Sequence, residues 1–184
     1  ASGARHWYRE MTSRRLFLLA PTLLTGCGRP VAPVPQVEIA DFDASGKALG
    51  VRPRPKVIRS PAEWRQRLTL SQFYSTRQGS TDTPFAGTYY QLHDAGLYRC
   101  TCCETALFHS NAKFDSSTGW PAYTQPVDPH NIRTRADHRL PQEERTEVLC
   151  ALCDAHLGHV FDDGPPPSGL RYCINETGLR FEPA

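Results

Sequence analysis

Hydrophobic and polar positions divide the 184-residue chain into stretches of different character. Near its start, Ser13-Arg14-Arg15 precedes an apolar run from Leu16 to Leu24 that is too short to cross a bilayer as a stable helix. From Gly28 to about Pro55, prolines take the place of large apolar residues and only Val37-Glu38-Ile39 alternates, leaving room for one short strand. The remainder of that stretch predicts a semi-stiff tether, because it cannot bury enough surface to offset the entropy of ordering it. Ser60-Pro61-Ala62-Glu63 combines a capping serine, a proline at the first helical position and a glutamate three residues on, which predicts a helix from about Pro61 to Leu68. A second short helix is expected from Ser71 to Arg77, ending near Gly79. Beyond Pro84, short apolar segments are punctuated by Gly87, Gly96, Gly119, Pro121, Pro126, Pro129, Gly158 and Gly164-Pro165-Pro166-Pro167, which predicts strands and loops without an internal repeat.

Composition sharpens this picture in two ways. Sixteen prolines and thirteen glycines weigh against a helical protein, and the length suits one domain with a real core. A formal charge of +2, with the basic residues dispersed, gives no footprint for a polyanion, so nucleic acid is excluded as the expected partner.

The arginine pair and the apolar run have the layout of a bacterial twin-arginine export signal. Leu24-Thr25-Gly26-Cys27 resembles a lipobox, which makes Cys27 an expected site of acylation. The alternative is a short amphipathic or buried helix with an incidental cysteine. Met11 is a candidate initiator, with residues 1–10 as an upstream extension. The resulting division is a signal over 1–27, a tether over 28–55 and a folded domain over 56–184. It places the protein in the bacterial cell envelope, on the periplasmic side of the membrane and held by a lipid anchor alone.

Four of the seven cysteines form two C-x-x-C pairs, Cys100/Cys103 and Cys150/Cys153. Each such turn sets two sulfurs on one side of a knuckle, and two knuckles supply the four thiolates of a tetrahedral structural zinc site. Their separation implies a metal that ties two distant hairpins together. Disulfides or buried thiols are the alternative reading in an exported chain. Cys102 offers a rival C-x-C pairing with Cys100, which the matching spacing at Cys150/Cys153 disfavours. His156 and His159 as metal ligands would orphan Cys100 and Cys103 and crowd four ligands into a short segment, so that set is rejected.

Cys173 stands apart from both pairs. If Leu170 to Asn175 is a strand, Arg171, Cys173 and Asn175 share one face, and Tyr172 and Ile174 the other. A neighbouring arginine is expected to lower the thiol pKa, so that Cys173 alkylates faster than an unactivated thiol. Asn175 can orient a substrate or a histidine. His156 and His159 can hold or donate protons near neutral pH. Each of these residues alone is more often structural, and Trp120 alone reads as core.

Taken together, Pro84-Phe85-Ala86-Gly87, Lys113-Phe114-Asp115-Ser116, Gly119-Trp120-Pro121-Ala122-Tyr123, Arg145-Thr146-Glu147-Val148, the run from Cys150 to Phe161, and Gly169-Leu170-Arg171-Tyr172-Cys173-Ile174-Asn175 resemble the B class of methionine sulfoxide reductases. The resemblance covers about Ser60 to Pro183. It implies a mainly β fold, two antiparallel sheets facing each other in a tent-like, zinc-bound arrangement with short N-terminal helices and the metal remote from the active site. It implies that Cys173 attacks the sulfur of a methionine-R-sulfoxide, free or in an oxidised protein, with His156 and His159 supplying protons. Trp120 then faces the S-methyl group, Arg171 and Asn175 position the reacting groups, and the product is methionine plus a sulfenic acid on Cys173. Repair of oxidised proteins, as part of an oxidative stress response, is the implied role, and a monomer is expected.

Many members of that class carry a resolving cysteine just ahead of Gly-Trp-Pro, where this chain has Thr118. The expected consequence is reduction of the sulfenic acid by an external thiol, from a thioredoxin-like or glutaredoxin-like donor. Two rivals remain at the level of sequence: a zinc-stapled binding module on the same fold, and a thiol-disulfide oxidoreductase using Cys150/Cys153.

Overall fold

The computed structural model describes residues 33–140 and 144–184, so the expected signal, Cys27 and the first residues of the expected tether lie outside the described residues. The chain opens with strands β1 (Gln36–Phe42) and β2 (Ala48–Pro55), followed by helices α1 (Pro61–Arg67) and α2 (Leu70–Gln78). Strands β3 (Gly96–Cys100), β4 (Ala106–His109), β5 (Lys113–Phe114) and β6 (Ala122–Tyr123) come next, then β7 (Ile132–Asp137), β8 (Arg145–Cys150) and β9 (His156–Phe161). The last two are β10 (Arg171–Ile174) and β11 (Leu179–Pro183).

Both helices start where their sequences dictate. Ser60 and Thr69 each accept a hydrogen bond from the backbone N–H three residues on, and Glu63 and Gln72 return the favour to the cap backbone. Gly79 ends α2 in the left-handed conformation at φ 71°, donating its N–H to the Ser75 carbonyl.

The strands form a six-stranded sheet in the order β5-β6-β10-β9-β8-β7 and a three-stranded sheet in the order β11-β3-β4, all antiparallel. Aromatic rings fill the core: Phe108 stacks on Tyr123 with centroids 4.3 Å apart, and Tyr98 meets Tyr123 edge-on at 5.2 Å. On β10 the expected alternation holds, with Tyr172 and Ile174 buried in the core and Arg171 and Cys173 half-buried on the other face.

The tether expectation is corrected over residues 36–55, where β1 and β2 pair along their whole length. Pro53 and Pro55 lie two positions apart, so both missing N–H groups fall on the same side, the unpaired edge of β2, where proline is tolerated. Burial comes from β1, which places Ile39 and Ala40 in the core. The fully buried Asn131 side chain acts as a further strand partner: its Oδ1 accepts from the Ala40 N–H, and its Nδ2 donates to the Ala40 and Ala106 carbonyls, each at 2.8 Å. Asp41 pairs with Arg52 and Arg54 across the hairpin.

One glycine is decisive for the site. Regular β geometry would send His156 and His159, three apart, to opposite faces of β9. A register shift between β8 and β9 at Val148/Leu149, with Gly158 at φ 151°, turns both imidazoles the same way, and their centroids lie 5.4 Å apart. A Cβ on Gly158 would stand 2.1 Å from the Cys173 carbonyl oxygen. Gly158→Ala is therefore expected to cost about 3 kcal/mol or more of stability, read as a fall in the denaturant midpoint. An unchanged midpoint would contradict this packing.

Candidate active site and metal centre

The two C-x-x-C segments build the same turn twice. In the first, the Glu104 N–H donates to the Cys100 carbonyl at 2.9 Å with Glu104 at φ 64°. In the second, the Asp154 N–H donates to the Cys150 carbonyl at 3.0 Å with Asp154 at φ 56°. Each turn joins two strands, β3 to β4 and β8 to β9, so the sulfurs meet between the two large sheets. The Sγ atoms of Cys100, Cys103, Cys150 and Cys153 all lie within 4.8 Å of one another, with Cys100 to Cys153 at 3.7 Å and Cys103 to Cys150 at 3.5 Å. A tetrahedron with bonds of about 2.3 Å has edges of roughly 3.8 Å, so the donor set fits one thiolate-bound metal ion. Arg77 adds compensating charge: it donates to the Cys153 carbonyl at 2.7 Å and to Cys153 Sγ at 3.4 Å, while stacking on Trp64. Cys102 lies outside the set, in contact with Thr76.

Cys173 sits on β10 directly opposite His159 of β9 on one side and Ala122 of β6 on the other. A cavity of about 120 Å³ opens over it, with Trp120, His159, Phe161, Asn175, Thr81 and Arg145 among its walls. Trp120 is half-buried and lines this cavity, so it is not the core residue that its type alone suggests. Its indole N–H donates to the Asp82 carbonyl at 2.9 Å, which fixes the ring against the loop after α2.

The imidazoles are held by two acids that sequence reasoning did not single out. His156 Nδ1 lies 2.6 Å from Glu147 Oε1, and His159 Nε2 lies 2.8 Å from Asp137 Oδ2. Both carboxylates are buried and stay ionised. Hydrogen bonds from Arg139 and His159 hold Asp137 well below the carboxylate range against the opposing effect of burial. Burial pushes Glu147 up, but the hydrogen bonds from Arg135 and His156 outweigh it and leave it low. Burial pushes both histidines below 6.5, and their carboxylates only partly restore them. At neutral pH each ring is therefore neutral with its proton on the nitrogen facing the acid, which leaves His156 Nε2 and His159 Nδ1 as acceptors; the former is buried with no partner among the described residues. His159 walls the cavity and His156 stands behind it.

All four groups are depressed in the folded state, so the unfolded chain binds more protons on acidification. The stability they contribute is fully present above pH 6.5. It is expected to fall first as the histidines' window is crossed downward and again below the carboxylates' ordinary values near 4. Denaturant midpoints measured from pH 8 to pH 3 check this, and a midpoint that rises on acidification would contradict it.

Two expectations for β10 are revised. Arg171 is committed to Asp163, donating from Nε at 2.8 Å and from an Nη at 2.7 Å, and it stacks on Phe161. Burial pushes the Cys173 thiol above its ordinary 9.0, and the Arg171 charge and hydrogen bonds from Thr118 and Arg171 do not reverse it. The resting group is a thiol, so substrate-free Cys173 is expected to react with iodoacetamide more slowly than an ordinary cysteine at pH 7, its rate climbing until above pH 9. Fast alkylation at pH 7 would contradict that reading. Asn175, buried, spends its amide on the loop after α2 and not on an imidazole: Oδ1 accepts from the Asp82 N–H at 2.9 Å, and Nδ2 reaches the Ser80 carbonyl at 3.5 Å. Thr118, where a resolving cysteine would stand, shares a hydrogen bond with the Ser116 hydroxyl at 2.7 Å and acts to lower the Cys173 pKa against the effect of burial.

Arg145 is a further residue of the cavity that the sequence reading left unassigned. One Nη donates to Asp137 Oδ2 at 3.1 Å, and its Nε is buried with no partner among the described residues. Its only sequence signal was a place in the Arg145-Thr146-Glu147-Val148 motif.

Comparison with known proteins agrees with this site. The SelR domain matches residues 68–183. The chain is 53% identical over 127 residues to a peptide methionine sulfoxide reductase MsrB of Herminiimonas arsenicoxydans, covering 69% of this chain and 92% of that one. It is 50% identical over 128 residues to the protein of the same name from Pseudomonas aeruginosa UCBPP-PA14, covering 70% of this chain and 96% of that one. Against the chloroplastic peptide methionine sulfoxide reductase B1 of rice it is 50% identical over 131 residues and spans 61% of that longer protein. With its SelR domain, its paired cysteine knuckles and a lone cysteine set against two carboxylate-held histidines, the chain belongs to the B class of methionine sulfoxide reductases.

Proposed function

We propose that the protein returns methionine-R-sulfoxide in oxidised polypeptides to methionine, with Cys173 as the nucleophile and, among the described residues, no second cysteine serving to resolve it. The observation that carries this reading is the pairing of Cys173 with His159 across β10 and β9 in a cavity walled by Trp120. Sulfur and methyl groups pack well on an aromatic face, so Trp120 orients the S-methyl group and leaves the sulfoxide sulfur open to Cys173.

The neutral His159 ring, its Nε2–H fixed on Asp137, takes the thiol proton on its free nitrogen as the sulfur attacks. The imidazolium, stabilised by the same carboxylate, then returns that proton to the sulfoxide oxygen, which passes to the Cys173 sulfur as the substrate's sulfur–oxygen bond and the transient sulfur–sulfur bond made by the attack both break. Because the thiol enters and the sulfenic acid leaves with the same proton, Cys–SH plus sulfoxide gives Cys–SOH plus thioether without net proton uptake. His156, behind His159 and fixed by Glu147, is the second proton acceptor of the pair. Two equivalents of an external thiol then return Cys–SOH to Cys–SH, yielding a disulfide and water. Holding Cys173 protonated until substrate arrives limits its adventitious oxidation.

Zinc in the Cys100, Cys103, Cys150 and Cys153 set is proposed to be structural, because it joins the two sheets and leaves no open coordination position. It also stands against a redox role for Cys150/Cys153, whose sulfurs it would occupy. Export and lipidation at Cys27 are proposed on the signal-like segment alone, placing repair at the cell envelope.

The test is turnover of the resolved R and S epimers with a dithiol present. The R epimer is expected to be consumed and the S epimer left. Equal turnover, or binding without turnover as for a binding module, would overturn the proposal.

A further inference from the structure

Resting on the assignment of the Cys173 cavity as the place where the sulfoxide reacts, we propose that the larger cavity beside it is a subsite for an apolar side chain flanking the oxidised methionine in a polypeptide substrate. The reaction cavity measures about 120 Å³, room for the end of one side chain, so the substrate's main chain must cross its rim. The neighbouring cavity measures about 460 Å³, and Thr81 and Trp120 line both, so the two adjoin at the Trp120 ring.

The second cavity carries hydroxyls from Ser71, Ser75, Ser80, Thr81, Thr83 and Thr177, and it is its apolar side that favours one kind of occupant. Leu70 and Tyr74, four apart and therefore on one face of α2, line it while remaining 73% and 53% exposed. Ala86, Trp120 and Pro121 add to this apolar surface. The two carboxylates present are already engaged. Asp82 accepts from the Thr177 N–H at 2.9 Å and from its hydroxyl at 2.7 Å, and Glu176 accepts from the Tyr89 N–H at 2.7 Å. They ask for no new hydrogen bond, and their charge makes an acidic side chain the poorest guest. The cavity suits a leucine-like neighbour of methionine sulfoxide. It is also coupled to the reaction cavity, because the Asp82 carbonyl that holds the Trp120 indole belongs to its wall.

Three substrates test this: two peptides of equal length carrying methionine-R-sulfoxide between two leucines or between two aspartates, and N-acetylated methionine-R-sulfoxide alone. The wild-type kcat/KM is expected to favour the leucine peptide over the aspartate peptide by roughly tenfold. The double variant Leu70→Ser, Tyr74→Ser, altered only at exposed positions, is expected to lose most of that preference. Its thermal midpoint and its turnover of the single amino acid are expected to stay at wild-type values. Absence of a preference in the wild type, a preference surviving in the variant, or equal losses on peptide and amino acid would each overturn the subsite. Failure of the wild type to reduce the single R sulfoxide would instead overturn the reaction assigned to Cys173, so the two ideas fail separately.

Discussion

Replacing Cys173 by serine is expected to lower kcat/KM for methionine-R-sulfoxide by at least about 10³-fold while leaving the unfolding midpoint within about 1 kcal/mol of wild type. The loss is chemical. A thiol can accept the oxygen because sulfur forms a stable S–OH bond, whereas a serine oxygen would have to become a hydroperoxide. Stability should survive because Cys173 is half-buried with its side chain toward the cavity, and the smaller hydroxyl can turn to Thr118. Steady-state turnover of the R epimer and a chemical melt on the same preparation decide both halves. Substantial residual turnover would remove Cys173 from the reaction.

The second large effect is expected at the cysteine cluster. Cys150→Ser should cost about 4 kcal/mol or more in unfolding free energy and abolish stoichiometric zinc. Four sulfurs from two hairpin turns are the point at which the three-stranded and six-stranded sheets are tied, and loss of Cys150 leaves the buried Cys100 and Cys153 and the half-buried Cys103 without their common partner. The second turn also runs straight into β9, where His156 follows Cys153 after two residues, so turnover should fall with stability. Elemental analysis together with a melt checks this. A metal-free wild type with an unchanged midpoint would contradict the assignment.

Much of this was readable in the chain because some patterns admit one local solution. The capping box at Ser60 set the start of the first helix, the period-two alternation set the faces of β10, and two equal C-x-x-C turns specified a tetrahedral donor set, whereas the Thr69 capping box that starts the second helix at Leu70 went unread. What escaped depended on register. Asp137 and Glu147 lie on β7 and β8, and nothing in the spacing of an acidic residue says that it will face a histidine two strands away, as Asp137 does, or one strand away, as Glu147 does. The hairpin of β1 and β2 was hidden by its prolines, whose cost vanishes on an unpaired edge, and by Asn131, whose side chain supplies strand-like hydrogen bonds from a distant loop. The direction of the Cys173 shift was misread because adjacency to Arg171 is visible in sequence. The burial of the thiol and the commitment of that guanidinium to Asp163 are not.

The absence of a second reacting sulfur is the claim on which the rest turns, and a single turnover without reductant tests it most directly. One methionine per enzyme should form, with one added oxygen on the Cys173 peptide by mass spectrometry after trapping. Formation of a disulfide from Cys173 to Cys102, or of methionine without any change at Cys173, would contradict it.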